Sequence, residues 1–126
     1  MEIKVLESDI LIRDVPLEKI VCDTKNGNKL NIEFDAKDGI RYNIEFITHI
    51  ALKVTIDGCF DGSFLFYSDY GMMYEIIDSE WIFNLRMEHD SQEPYDHIMD
   101  NVHHYITHLG DFNVEVVAKG YKLNKL

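Results

Sequence analysis

Four residues able to ligate a metal, His97, Asp100, His104 and His108, follow one another at spacings of three, four and four. On a helix those intervals bring side chains to one face. Imidazole and carboxylate groups so placed can share a divalent cation and activate its water, the chemistry of a metal-dependent hydrolase. The same positions also describe the polar side of an amphipathic helix, and histidines near a helix end suit the dipole there. If the segment is a strand, only His104 and His108 share a face and the set dissolves. The polar-face reading is preferred, so neither a metal nor another cofactor is expected. The chain has no Gly-rich phosphate loop, Gly-x-Ser-x-Gly elbow or His-Glu-x-x-His motif, so no catalytic residue is assigned and no enzyme is expected.

A second constellation suits binding. Phe64, Phe66, Tyr67, Tyr70, Met72, Met73 and Tyr74 form the densest aromatic and methionine cluster of the chain. Such side chains bring large contact area at little entropic cost. A strand exposes every second one, which leaves Tyr67, Tyr70 and Tyr74 for an interface while the others enter the core. Around them Asp57, Asp61, Asp69, Asp78 and Glu80 stand at expected strand ends and turns, where a sheet presents its loops.

The carboxylates gain weight from their distribution. Residues 54–118 hold thirteen of them against one base, Arg86, whereas the rest of the chain carries ten acids and eleven bases. The formal net charge of −11 therefore belongs to a region. Such a field repels nucleic acid and anionic membrane and speeds encounter with a basic protein. Thirteen acids with one base also repel one another, a cost that a cationic partner relieves.

Most of the apolar periodicity is two, the pattern of strands with one wet and one dry face. Leu30, Ile32 and Phe34 alternate with polar residues, and Tyr42, Ile44 and Phe46 repeat the pattern; Asn26-Gly27 and Asp38-Gly39 supply tight turns. A meander through about 18–47 continues into residues 50–56, and segments near 64–67, 72–77 and 113–118 read as further strands. Trp81, Phe83, Leu85 and Met87 alternate too, so 80–88 reads as a strand, although Ser79 is suited to cap a helix starting there. Tyr95, Ile98, Met99, Val102, Tyr105, Ile106 and Leu109 fall on a helical stripe between Pro94 and Gly110, which places the helix within about 92–109. Weak helix formers from Asn101 to His108 leave a short helix followed by a strand as the alternative. The fold expected is a single α+β domain over 1–126, mostly antiparallel meander, as a curved sheet, sandwich or partial barrel.

The N-terminus alternates charged and apolar residues and lacks the apolar run of a secretory signal, and no stretch approaches the ~20 residues that cross a bilayer. A soluble cytoplasmic protein is expected, with Cys22 and Cys59 reduced.

From Asp78-Ser79-Glu80-Trp81-Ile82 through His104-Tyr105-Ile106 to Gly110-Asp111-Phe112-Asn113-Val114-Glu115-Val116-Val117-Ala118, the second half resembles the small acidic immunity-type proteins of bacterial contact-dependent and other polymorphic toxin systems. The resemblance implies a cytoplasmic inhibitor of a cognate toxin, often a nuclease with a basic cleft. The resemblance carries over no functional residue; from charge and exposure alone, the expected partner is a basic protein, met by Asp57, Asp61, Asp69, Asp78, Glu80, Tyr67, Tyr70 and Tyr74. A β-rich carrier, with Phe64, Phe66 and the methionines around an apolar cavity, is the alternative.

Overall fold

The computed structural model describes residues 2–63 and 71–126. Among the described residues, seven strands form one antiparallel sheet: β1 (Glu2–Leu6), β2 (Lys19–Asp23), β3 (Lys29–Asp35), β4 (Arg41–Ile56), β5 (Met73–Ile77), β6 (His103–Leu109) and β7 (Phe112–Lys125). The one α-helix among the described residues, α1 (Glu80–Gln92), follows β5. The strand order is β1-β5-β6-β7-β4-β3-β2, so the curved sheet stays open, with β1 and β2 at its edges. The expected α+β class with a dominant antiparallel meander is therefore the fold observed.

Alternation explains the first half. Leu30, Ile32 and Phe34 are fully buried and pair across β3 and β4 with Phe46, Ile44 and Tyr42. Positive φ at Gly27 (83°) and Gly39 (84°) closes the two expected turns, and the Asp23 carboxylate accepts the amides of Lys25 and Asn26 in the first. The central pair is β4 with β7, from Tyr42 opposite Lys125 to Ile56 opposite Phe112, with a bulge between His49 and Ala51 that bends the sheet. The inner face packs Val114, Val116, Ala118, Tyr105 and Leu109 against the β3–β4 side chains and a first segment containing Ile10 and Ile12. A smaller cluster of Ile82, Met99, Val102 and Val117 joins α1 to the other face.

The helix stands earlier than the sequence places it. Residues 80–88 belong to α1 and not to a strand, because Ser79 does cap: its Oγ accepts the Ile82 amide at 3.1 Å. The stripe that packs inward is Trp81, Ile82 and Leu85, while Phe83 and Met87 remain 60% and 59% exposed, so the period-two pattern was a coincidence of outward apolar residues. The stripe read over 94–109 fails for the converse reason. Tyr95 is exposed, the chain turns through 94–102 to a positive φ at Asn101, and the His- and β-branched run from His103 pairs as β6. β-propensity decides there over helical spacing.

Tyr105 and Tyr121 meet edge to face at 5.3 Å, and Tyr121 Oη donates to Glu7 Oε1 at 2.9 Å. Burial, with Glu75 nearby, pushes the Tyr105 hydroxyl up to about 12; burial and the bond to Glu7 raise Tyr121, and burial with a bond to Asp38 raises Tyr42. In the unfolded chain these phenols ionise near pH 10. Their contribution to stability is therefore complete below pH 10 and is lost as the pH climbs through each raised folded-state value, about 12 for Tyr105. Phenolate absorbance near 295 nm should show Tyr105 and Tyr121 missing from the titration at pH 10–11 in the native protein but present in urea, with unfolding accompanying their ionisation.

Candidate functional site

The outward side of α1 brings together the two features that binding requires. Glu80, Phe83, Met87 and Asp90, at spacings of three, four and three, form one exposed stripe. Glu88 borders it, and beyond the helix Glu93, Asp96 and Asp100 are also exposed, as is Asp78 before it. Seven of the thirteen carboxylates in residues 54–118 thus lie on one short stretch, 78–100. Among the described residues the basic side chains within 4 Å of them are histidines alone: His89 beside Asp90 (3.5 Å) and Asp96 (3.4 Å), and His97 beside Asp100 (3.3 Å). The bond from His89, with the Ile98 amide, holds the Asp96 carboxyl below the usual range. Arg86, the one base of the stretch, donates to the carbonyl of Met99 at 3.2 Å, and Lys119 donates to that of Asp100 at 2.8 Å. These bonds tie the turn to the body of the molecule and leave the carboxylates outward.

The residues proposed from sequence for the partner surface divide into two groups. Asp78 and Glu80 stand at the α1 end of β5. Asp57 and Asp61 are exposed at the other end, where Asp57 shares a cavity with Met72, Tyr74 and His108. A five-residue strand separates the groups by roughly 17 Å. The Asp61 carboxyl lies below its ordinary range through hydrogen bonds from Ser63. Tyr74 is not an exposed anchor: β5 runs between β1 and β6, and the side chain is 6% exposed. Tyr67, Asp69 and Tyr70 lie outside the described residues, as do Phe64 and Phe66.

The four-residue metal set is not brought together. His97 and Asp100 occupy the exposed turn, whereas His104 and His108 share a face of β6 four residues apart, about 13 Å along a strand. His108 Nδ1 instead lies 2.7 Å from Asn113 Oδ1 and 3.8 Å from Asp57 Oδ1. No group of three or more His, Cys, Asp or Glu suited to a metal occurs among the described residues. Both cysteines are free and exposed. No described helix is long and apolar enough to cross a membrane.

Beneath α1 lies a buried polar network that sequence reasoning missed. Ser79 Oγ is 2.7 Å from His104 Nδ1, and His104 Nε2 is 3.0 Å from Glu115 Oε1. All three residues are buried. One distribution of protons satisfies every atom. A carboxylate only accepts, so Nε2–H donates to Glu115, Nδ1 carries a lone pair, and the Ser79 hydroxyl donates to it while accepting the Ile82 amide. Trp81 packs edge-on against the imidazole at 5.1 Å, and Lys53 Nζ lies 4.2 Å over the indole. Beside the network His103 Nδ1 lies 2.7 Å from Glu75 Oε2.

With this geometry in view, the chain was compared with family models, curated proteins and solved structures. None matches it. The functional reading rests on the chain's own surface and network.

Proposed function

We propose that the protein is an immunity-type binding protein that seats a basic protein domain, in the leading case a cognate toxin, on the outward side of α1 and so blocks the partner's cationic surface. The observation that carries this reading is the exposed Glu80–Phe83–Met87–Asp90 stripe, apolar at its centre and anionic around it. Large apolar side chains supply short-range grip once desolvated, and the surrounding carboxylates steer a cationic surface onto them. The same field disfavours nucleic acid and anionic lipid as partners. An inhibitor of this kind works where a toxin domain acts, which places it in the cytoplasm. Asp78 and Glu80 remain partner residues in this reading, joined by Phe83, Met87, Glu88 and Asp90, while Asp57 and Asp61 lie at the far end of β5 and form a separate surface.

The test is affinity capture from the native host with three baits: the parent, Glu80→Lys/Phe83→Ala/Asp90→Lys, and Asp57→Asn/Asp61→Asn. The parent and the second variant should recover the same cationic protein, and the first variant should lose it. Equal recovery by all three baits would sink the α1 assignment, and recovery of no cationic protein by the parent would sink the reading as a whole.

A further inference from the structure

Capping a helix asks one thing of a serine, an oxygen lone pair for an orphan amide, and Ser79 meets that need through Ile82 alone. The rest of the network exceeds it. With the protons so assigned, the Ser79 hydroxyl donates to His104 Nδ1 across 2.7 Å, and the opposite N–H of that ring donates to a buried carboxylate across 3.0 Å. This is the relation of nucleophile, general base and orienting group used in acyl transfer. We propose that Ser79 and His104 form an acyl-transfer centre for small carboxylic esters, with Glu115 as the positioning residue that fixes the imidazole.

The surroundings fit that chemistry. Ser79 stands at a sharp strand-to-helix turn, between β5 and α1, made by Asp78 at φ 55°. A turn of this kind presents a hydroxyl at the start of a helix, as nucleophile elbows do. The first amides of α1, at Glu80 and Trp81, have no carbonyl one turn back within the helix; they are directed past its N-terminal end and can stabilise negative charge developing on a carbonyl oxygen. A cavity of about 520 Å³ is lined by Ser79, with Ile82, Phe83 and Val102 as an apolar wall for the acyl group and Arg86 and His103 as polar neighbours. Trp81 closes one side of the imidazole.

In the first step Ser79 Oγ bonds to the ester carbonyl carbon while its proton passes to His104 Nδ1. Collapse breaks the bond to the alcohol oxygen, which takes that proton and leaves. Water then adds to the acyl-serine by the same route, giving its proton to Nδ1, and the released Ser79 Oγ recovers it, so ester and water become acid and alcohol. This centre does not depend on the partner-binding reading. It touches it at one point, because Glu80, Phe83 and Arg86 line the cavity, and a protein seated on α1 would cover the opening.

The experiment treats the full chain with an alkyl fluorophosphonate, whose phosphorus bonds to an activated serine as fluoride leaves, and follows intact mass and peptide maps. One adduct, on Ser79, is expected. Ser79→Asn, whose side chain still caps α1, should keep the parent's far-ultraviolet circular dichroism and take no adduct. Glu115→Gln, which can still accept from Nε2–H, should fold and label about 100-fold more slowly, the scale of a misdirected general base. No adduct on Ser79 in the parent, or labelling undiminished in Glu115→Gln, would overturn the proposal. Neither result bears on capture of a basic partner, so the two readings fail separately.

Discussion

Replacing His104 with alanine should destabilise the fold by about 3–5 kcal/mol, measured as a lowered urea midpoint at neutral pH with an unchanged slope. The size follows from what is left behind. The Glu115 carboxylate, on a residue 7% exposed, loses the Nε2–H at 3.0 Å, and the Ser79 hydroxyl loses its acceptor at 2.7 Å. An uncompensated buried charge costs far more than the net worth of the pair that hid it. Trp81 also loses the ring it packs against, and with it part of the bond between α1 and the sheet. Ser79→Ala should cost less, about 1–2 kcal/mol, since it removes the cap and the donor to His104 Nδ1 but leaves the Nε2–H bond to the Glu115 carboxylate intact. Against a total stability of about 5–15 kcal/mol for a domain of this size, the first change is severe and the second is not. A loss below 1 kcal/mol in His104→Ala would show that water reaches the Glu115 carboxylate.

How much of this was readable beforehand depended on whether a segment's local preferences agreed with its packing. In β3 and the first part of β4 they agree: Leu30, Ile32 and Phe34 face Phe46, Ile44 and Tyr42, and the turns between strands carry glycines where φ must be positive. In α1 they conflict. Phe83 and Met87 are apolar yet outward, so the pattern of two that they make with Trp81 and Leu85 hides the inward stripe of Trp81, Ile82 and Leu85. The local signal that agrees with the packing, Ser79 as a cap, is a single residue against that four-residue alternation. The Ser79–His104–Glu115 network was out of reach for a different reason. Its members meet only through the register of β6 and β7, set by the turn at Gly110 and Asp111 and pairing Ile106 with Glu115 and His104 with Val117. With 103–109 read as helix, that register did not exist. The acidity of residues 78–100 was plain in the sequence, and only the outward placement of α1 shows it joined to an apolar centre.

That joining leads to the second large effect, a division of labour in the kinetics of the captured partner. Phe83→Ala and Met87→Ala should leave association almost unchanged and raise the dissociation rate, by about 30-fold for Phe83, as expected for a central anchor worth about 2 kcal/mol. Glu88→Lys/Asp90→Lys should do the opposite, lowering the association rate by about 10–100-fold at low salt with a smaller change in dissociation. The reason is range. A carboxylate on the rim acts on an approaching cationic surface across a Debye length, about 10 Å at 0.1 M salt, before any contact forms, whereas Phe83 acts only once water has left its surface. Raising the salt should therefore slow association of the parent steeply, slow the charge-reversed variant little, and bring the two rates together, while the excess dissociation of Phe83→Ala persists. Surface plasmon resonance across a salt series separates these outcomes. If the charge reversal acted on dissociation alone, Glu88 and Asp90 would be contact residues at the centre of the interface, and the stripe through Phe83 and Met87 would have to lie at its margin.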